Sequence, residues 1–220
     1  MESTLSVLTI ASSKGGPGKT TVSMLLAGRM AADGVKVAAL DADPAGALSR
    51  WVRNAYEGPA FVVQAEPDET RLAHLIDNEA KVADMVLVDT AGFGNRAAAV
   101  AMTSADAVLI PTLSGEADIT EAEKTVRLAE GLARAARRDI PARVLLNRVK
   151  RTQLARHAAR EIEAAGLPLL TTTLSDLVAY GEMSFSGRIP DLGLAGDEVS
   201  RLVAELRALG WISTRQDVLA

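Results

Sequence analysis

The stretch Lys14-Gly15-Gly16-Pro17-Gly18-Lys19-Thr20-Thr21 constrains this chain more than any other. An apolar run, residues 5–11, precedes it, and an apolar pattern with helical spacing, residues 22–32, follows it. Strand, glycine-rich turn and helix together are the setting of a phosphate-binding loop. Gly15, Gly16 and Gly18 let the backbone turn tightly and bring N–H groups up to phosphate oxygens with no Cβ in the way. The helix that follows aims its unpaired N–H groups and positive dipole end at the same anion. Lys19 reaches β- and γ-phosphates in such a loop, and the Thr20 hydroxyl ligates Mg²⁺.

The remaining apolar runs alternate with helical patterns. Strands are expected over residues 35–40, 61–65, 85–88, 107–110, 142–146 and 169–173. Helices are expected over 19–33, 45–54, 68–83, 96–103, 119–138, 152–165, 174–183 and 197–210. Alternation of this kind predicts an α/β fold, a mostly parallel twisted sheet with helices on both faces. Right-handed crossovers then bring the strand-end motifs to one edge, around the phosphate loop. At 48% apolar residues and only 3% aromatic, the core is built from Ala, Val, Leu and Ile, which suits buried parallel strands. No internal repeat or low-complexity linker divides the 220 residues, so residues 1–220 read as one P-loop domain.

Acids close two of the strands. Asp89 follows Met85-Val86-Leu87-Val88, the Walker B arrangement, in which a carboxylate holds Mg²⁺ through water; alternatively it caps the next turn. Asp41 and Asp43 close the second strand before Pro44, either as members of the site or as solvated turn acids. Asn147 follows Val144-Leu145-Leu146, and its carboxamide has both the donor and the acceptor that can match an adenine edge; alternatively it is an asparagine in a turn.

The second lysine of the loop, Lys14, is the specific signal. Ser13 stands where the usual first glycine of the motif would be, and the resulting Lys-Gly-Gly-x-Gly-Lys-Thr resembles the deviant Walker A signature of the ParA/MinD ATPase family. That resemblance covers residues 5 to about 205 and implies an ATPase using ATP and Mg²⁺. Nucleotide contacts would come from residues 14–21 and Asn147, and metal support from Thr20, Asp41, Asp43 and Asp89. It further implies that Asp43 positions the attacking water and that Lys14 reaches the partner's nucleotide across an ATP-bound homodimer. Lys14, Lys19 and Asp43 are then the catalytic set. Residues 174–188, including Ser186-Gly187-Arg188, are similar to the late segment of ParA-type partition ATPases. Asp43-Pro44-Ala45 and Asp89-Thr90-Ala91-Gly92 depart from the family's frequent Asp-Pro-Gln and Asp-Thr-Pro-Pro, which leaves the subfamily open. The position of Lys14 leaves no room for a DNA-reading N-terminal domain, so the expectation is the short type.

Charge and composition narrow the partners. The net charge is −4, yet residues 127–160 carry ten basic side chains against Glu130 and Asp139, a net +8 that leaves −12 on the rest. Arg137, Arg138, Arg151, Arg156 and Arg160, with Arg188, are candidate contacts to non-specific DNA or else a solvated helical face. The absence of cysteine excludes Cys-ligated zinc and iron–sulfur clusters, and with them the nitrogenase-iron-protein branch of the superfamily. The tail 210–220 has no sustained apolar face, which disfavours a MinD-like membrane anchor. The expectation is a cytoplasmic switch, nucleoid-associated when ATP is bound, that segregates plasmid or chromosomal DNA with an adaptor protein stimulating hydrolysis. The alternatives are positioning of a protein cluster such as chemoreceptors, assistance to DNA transfer, or a membrane-bound regulator.

Overall fold

A computed structural model describes residues 6–92, 95–150 and 153–212, without the side chains of 153–156. Its sheet has six strands in the order β3-β2-β4-β1-β5-β6, every pairing parallel. The strands are β1 (Val7–Ile10), β2 (Val37–Asp41), β3 (Val62–Ala65), β4 (Met85–Asp89), β5 (Ala107–Thr112) and β6 (Ala142–Leu146). The helices are α1 (Lys19–Ala32), α2 (Ala47–Asn54), α3 (Glu69–Glu79), α4 (Arg96–Ser104), α5 (Glu116–Ala136), α6 (Gln153–Ala164), α7 (Val178–Ser186) and α8 (Gly193–Ala208).

The period-2 alternation of the strands divides the core in two. Leu8 and Ile10, Val37 and Ala39, Met85 and Leu87 face one side, where α1, α2, α7 and α8 pack. Val7, Ala38 and Leu40, Val86 and Val88 face the other, against α3, α4, α5 and α6. From β1 the chain steps to β2 and β3 with its helices on the first face. It then returns through α3 and moves outward through β5 and β6 with helices on the second face. A right-handed crossover requires this change of face when the direction of travel reverses. The reversal places β1 and its loop at the centre of the sheet, between β4 and β5.

Local signals set the helix ends. Asp68 caps α3, its Oδ1 accepting from the N–H groups of Thr70 and Arg71 at 3.1 and 2.9 Å. Asn95 caps α4, accepting from Ala97 N–H at 2.9 Å.

Two expectations need correction. Residues 169–173 do not form a sixth-edge strand. They run beside β6 with only an isolated Val144–Leu169 bridge, because the Thr171 and Thr172 N–H groups donate to the Glu205 carboxylate at 2.7 and 2.8 Å instead. The helix expected over 174–183 begins only at Val178, because Leu174 and Asp176 extend the pairing along β6 through their N–H groups to Leu146 and Val149. Trp211 and Ile212 are buried against the first-face core, as their position after α8 suggests. Residues 213–220 lie outside the described residues, as do 1–5.

Candidate functional site

The loop after β1 lies at the carboxyl edge of the sheet. Gly16 and Gly18 have φ of 98° and 92°, values that favour glycine. A Cβ on Gly18 would lie 2.3 Å from Asn147 Nδ2, so the loop also needs glycine there for close approach. A Cβ on Gly15 or Gly16 would meet nothing within 4 Å, so the outer side of the loop is an open cradle. Gly18 precedes α1 with no side-chain cap, and among the described residues nothing accepts from the N–H groups of Lys19, Thr20 or Thr21. Three N–H groups converging on an open cradle at a helix N-terminus fit an anion of phosphate type.

Lys19 curls back over the loop, its Nζ donating to the Lys14 carbonyl at 3.1 Å. Burial pulls its pKa down, opposed by the charges of Asp89 and Asp43. Pro17 is buried within the loop, and Thr21 lines a cavity beside it together with Gly16 and Gly18.

Asp41 and Asp89 are direct register neighbours on β2 and β4, and both are fully buried. Asp89 Oδ2 accepts from the Thr20 hydroxyl at 2.8 Å and Oδ1 from the Ser23 hydroxyl at 3.0 Å. Burial raises the Asp89 pKa to about 7; Asp41's charge adds to the rise, and the two hydroxyls and Lys19 oppose it. Asp41 is raised as well, chiefly by burial, while Ser49 N–H donates to its Oδ2 at 2.8 Å. Two buried acids beside the Thr20 hydroxyl form a hard, oxygen-rich donor set, with the buried Lys19 next to them. Among the described residues no group of three or more His, Cys, Asp or Glu side chains could enclose a cation by itself. The set therefore fits Mg²⁺, which keeps water and takes its other ligands from phosphate oxygens.

Asp43 stands at the rim, half-buried, its Oδ1 accepting from Ala45 N–H at 2.8 Å. Its own N–H donates to Asp41 Oδ1 at 3.3 Å, which ties the rim acid to the buried one.

Asn147 is buried and braces the loop. Its Nδ2 donates to the Pro17 carbonyl at 2.8 Å, and its Oδ1 accepts from Arg148 N–H at 2.9 Å. It also lines a cavity of about 280 Å³ that opens off the loop, with Gly16, Gly18, Ser175, Asp176 and Tyr180.

Lys14 is half-exposed, and its Nζ pairs with Asp118 Oδ1 at 2.8 Å, which raises its pKa. This partner on α5 was not expected from the sequence. It belongs to a row of contacts from α5 to the signature loop. Ser13 N–H donates to Thr125 Oγ1 at 3.0 Å, and the Ser13 hydroxyl donates to the Glu121 carboxylate at 2.8 Å. Asp118, Glu121 and Thr125 recur at helical spacing, the only trace of the row in the sequence.

The basic segment is not one surface. Arg137 caps the end of α5, and Arg138 pairs with Asp106 at 2.7 Å beside the start of β5, at the sheet edge away from the phosphate loop. Arg160 is exposed on α6, on the same face of the sheet. Arg188 pairs with Glu57 at 2.8 Å on the opposite face. Glu123, Asp106 and Asp176 oppose Arg127, Arg138 and Arg148, which the sequence left with only Glu130 and Asp139 as acids within the segment. Arg151 and the side chain of Arg156 lie outside the described residues.

A profile of the VirC1 protein family matches residues 5–205. Protein virC1 of Rhizobium radiobacter is 31% identical over 207 residues, 90% of each chain. The maintenance of carboxysome distribution protein A of Halothiobacillus neapolitanus is 30% identical over 207 residues, 90% of this chain and 95% of that one. An ATP complex of McdA from Cyanothece superposes with a TM-score of 0.77 at 18% identity, over 96% of this chain and 98% of the other. The chain belongs to the VirC1 family, within the ParA/MinD superfamily of deviant Walker A ATPases.

Proposed function

We propose that the protein is an ATP-dependent dimerising switch with weak ATPase activity, which positions a cargo by binding non-specific DNA in its ATP state. The observation that carries the reading is the grouping of Thr20, Asp41 and Asp89 beneath an open glycine cradle whose signature lysine faces outward.

The loop N–H groups and Lys19 hold the triphosphate, and Asn147 keeps the loop in shape from below. Thr20, Asp41 and Asp89 would hold Mg²⁺, which would supply charge neutralisation for the triphosphate. Asp43, at the rim and fixed by Ala45 N–H, orients the attacking water. Phosphoryl transfer depends on positioning and charge stabilisation, so Asp43 need not be a strong base. Lys14 leaves Asp118 and crosses to the partner's nucleotide. A cation supplied in trans contributes ~10³–10⁵ in rate to transfers of this kind. An adaptor on the cargo stimulates hydrolysis and release. The relatives named for carboxysome distribution favour a protein cargo as the second reading.

The test measures affinity for non-specific duplex DNA with ATP, ADP and no nucleotide, at low and moderate salt. Binding that needs ATP and falls steeply with salt is expected. Absence of binding in every state would remove the DNA track and leave a switch that acts on protein alone.

A further inference from the structure

Glu198 lies in the middle of α8 and is only 4% exposed. Its Oε2 accepts from the Ser175 N–H at 2.9 Å and from the Tyr180 hydroxyl at 2.8 Å, and its Oε1 accepts from the Ser175 hydroxyl at 2.6 Å. A buried carboxylate is costly unless it is paired or fully hydrogen-bonded. Among the described residues none forms an ion pair with Glu198, so three neutral donors carry the whole compensation. All three come from two residues, and both residues line the cavity beside the phosphate loop.

The three bonds have a consequence for that cavity. Ser175 lies in the short segment that extends β6, bridged to Val149 and next to Asp176, which pairs with Arg148. Tyr180 is in the first full turn of α7 and presents its ring to the cavity while its hydroxyl points back to α8. Burial and the neighbouring Glu198 both push the Tyr180 phenol upward, so it remains a donor at all working pH values. Glu198 thus ties two separate cavity walls to one helix that contributes nothing else to the lining.

We propose that Glu198 is a positioning residue for the base of the bound nucleotide: through Ser175 and Tyr180 it fixes the cavity wall against which the base rests. The inference depends on the cavity beside the loop receiving the nucleotide, as proposed above. Glu198 touches neither phosphate nor cation, so its effect is confined to the part of the ligand beyond the triphosphate.

Calorimetry on the full chain with Mg²⁺ tests this with two probes, ATP and inorganic tripolyphosphate. Glu198→Met removes all acceptors. It is expected to weaken ATP about tenfold and leave tripolyphosphate unchanged, since bonds to a charged acceptor are among the stronger ones. Glu198→Gln keeps an acceptor for Ser175 and is expected to recover most of the ATP affinity. Tyr180→Phe deletes one oxygen without removing the buried charge and is expected to weaken ATP in the same selective way; it decides the matter if Glu198→Met does not fold. ATP and tripolyphosphate falling in parallel would show a merely structural role and overturn the proposal. So would ATP affinities equal to the parent's in all three variants. A parent protein that binds neither probe would instead overturn the nucleotide reading itself, and this proposal with it.

Discussion

Asp89→Asn is expected to stabilise the protein when neither metal nor nucleotide is present. The Asp89 carboxyl is fully buried next to Asp41, with only two hydroxyls and Lys19 to favour its charge. Its pKa rises from the model-peptide 3.8 to about 7. A carboxyl with a raised folded-state pKa binds more protons folded than unfolded between those two values. Stability is therefore full below the lower value, falls as pH rises, and is flat above the upper one. The shift corresponds to about 4 kcal/mol in total, of which about 2 kcal/mol falls between pH 5.5 and 7. For a chain of this size ~4 kcal/mol is worth roughly 10 °C in melting temperature. Asparagine keeps an acceptor for the Thr20 hydroxyl, its amide can donate to the Ser23 oxygen, whose own proton has the Lys19 carbonyl as acceptor at 3.0 Å, and it has no charge to bury. Melts in EDTA from pH 5.5 to 8 should show the parent losing stability with pH more steeply than the variant, which keeps only Asp41 of the pair, so that the gap is widest at pH 8. With Mg²⁺ and ATP the order should reverse, because the parent's carboxylate then faces a cation. Parallel pH profiles in EDTA would refute the reasoning: the carboxyl would then be ionised at little cost, and the buried acid pair would not be waiting for a counter-charge.

Three further perturbations address the loop and its rim. Lys14→Ala should retain ATP affinity and lose hydrolysis; turnover at the parent rate would remove the trans-lysine role. Asp43→Ala should accumulate an ATP-bound dimer, seen as a doubled mass by light scattering, and a monomer under the same conditions would count against Asp43 as the residue that orients water. Gly18→Ala combines a φ of 92° with a Cβ only 2.3 Å from Asn147 Nδ2, and displacing Asn147 breaks its bond to the Pro17 carbonyl. Together these cost about 2–3 kcal/mol, measurable by urea unfolding, and an unchanged midpoint would mean that Asn147 does not brace the loop.

The parts legible in the sequence are those set by short spacing. Residues 14–21 announce their chemistry because strand, turn and helix follow one another directly. Asp41 and Asp89 could be assigned to one site because each ends an apolar run, and parallel strands bring such ends to a common edge; the register then makes them neighbours. The partners of these residues were not legible, because each comes from a distant segment. Lys14 is 104 residues from Asp118, Ser23 is 66 from Asp89, and Ser175 is 23 from Glu198 across a helix that carries no motif. Asp118 looks like an ordinary first-turn helix residue, favoured there by the dipole alone, and Glu121 like a solvated acid on the next turn.

The arginine-rich segment is the opposite case: it is local in sequence and spread out in space. The helix α5 has 21 residues and is therefore about 30 Å long. Its acidic first turns meet the signature loop, and its basic end, with Arg137 and Arg138, is carried to the far edge of the sheet. A run of charge that spans a helix, a strand and the start of another helix must visit both edges of a parallel sheet. Its net charge therefore describes the segment and not any one surface. Arg138 and Arg148 also meet acids from elsewhere in the chain, Asp106 and Asp176. The net −12 of the remaining chain thus lies partly against the basic segment. Under the proposed function, a DNA contact would be assembled from surfaces of two copies in the ATP state and not from one basic stripe on a single chain.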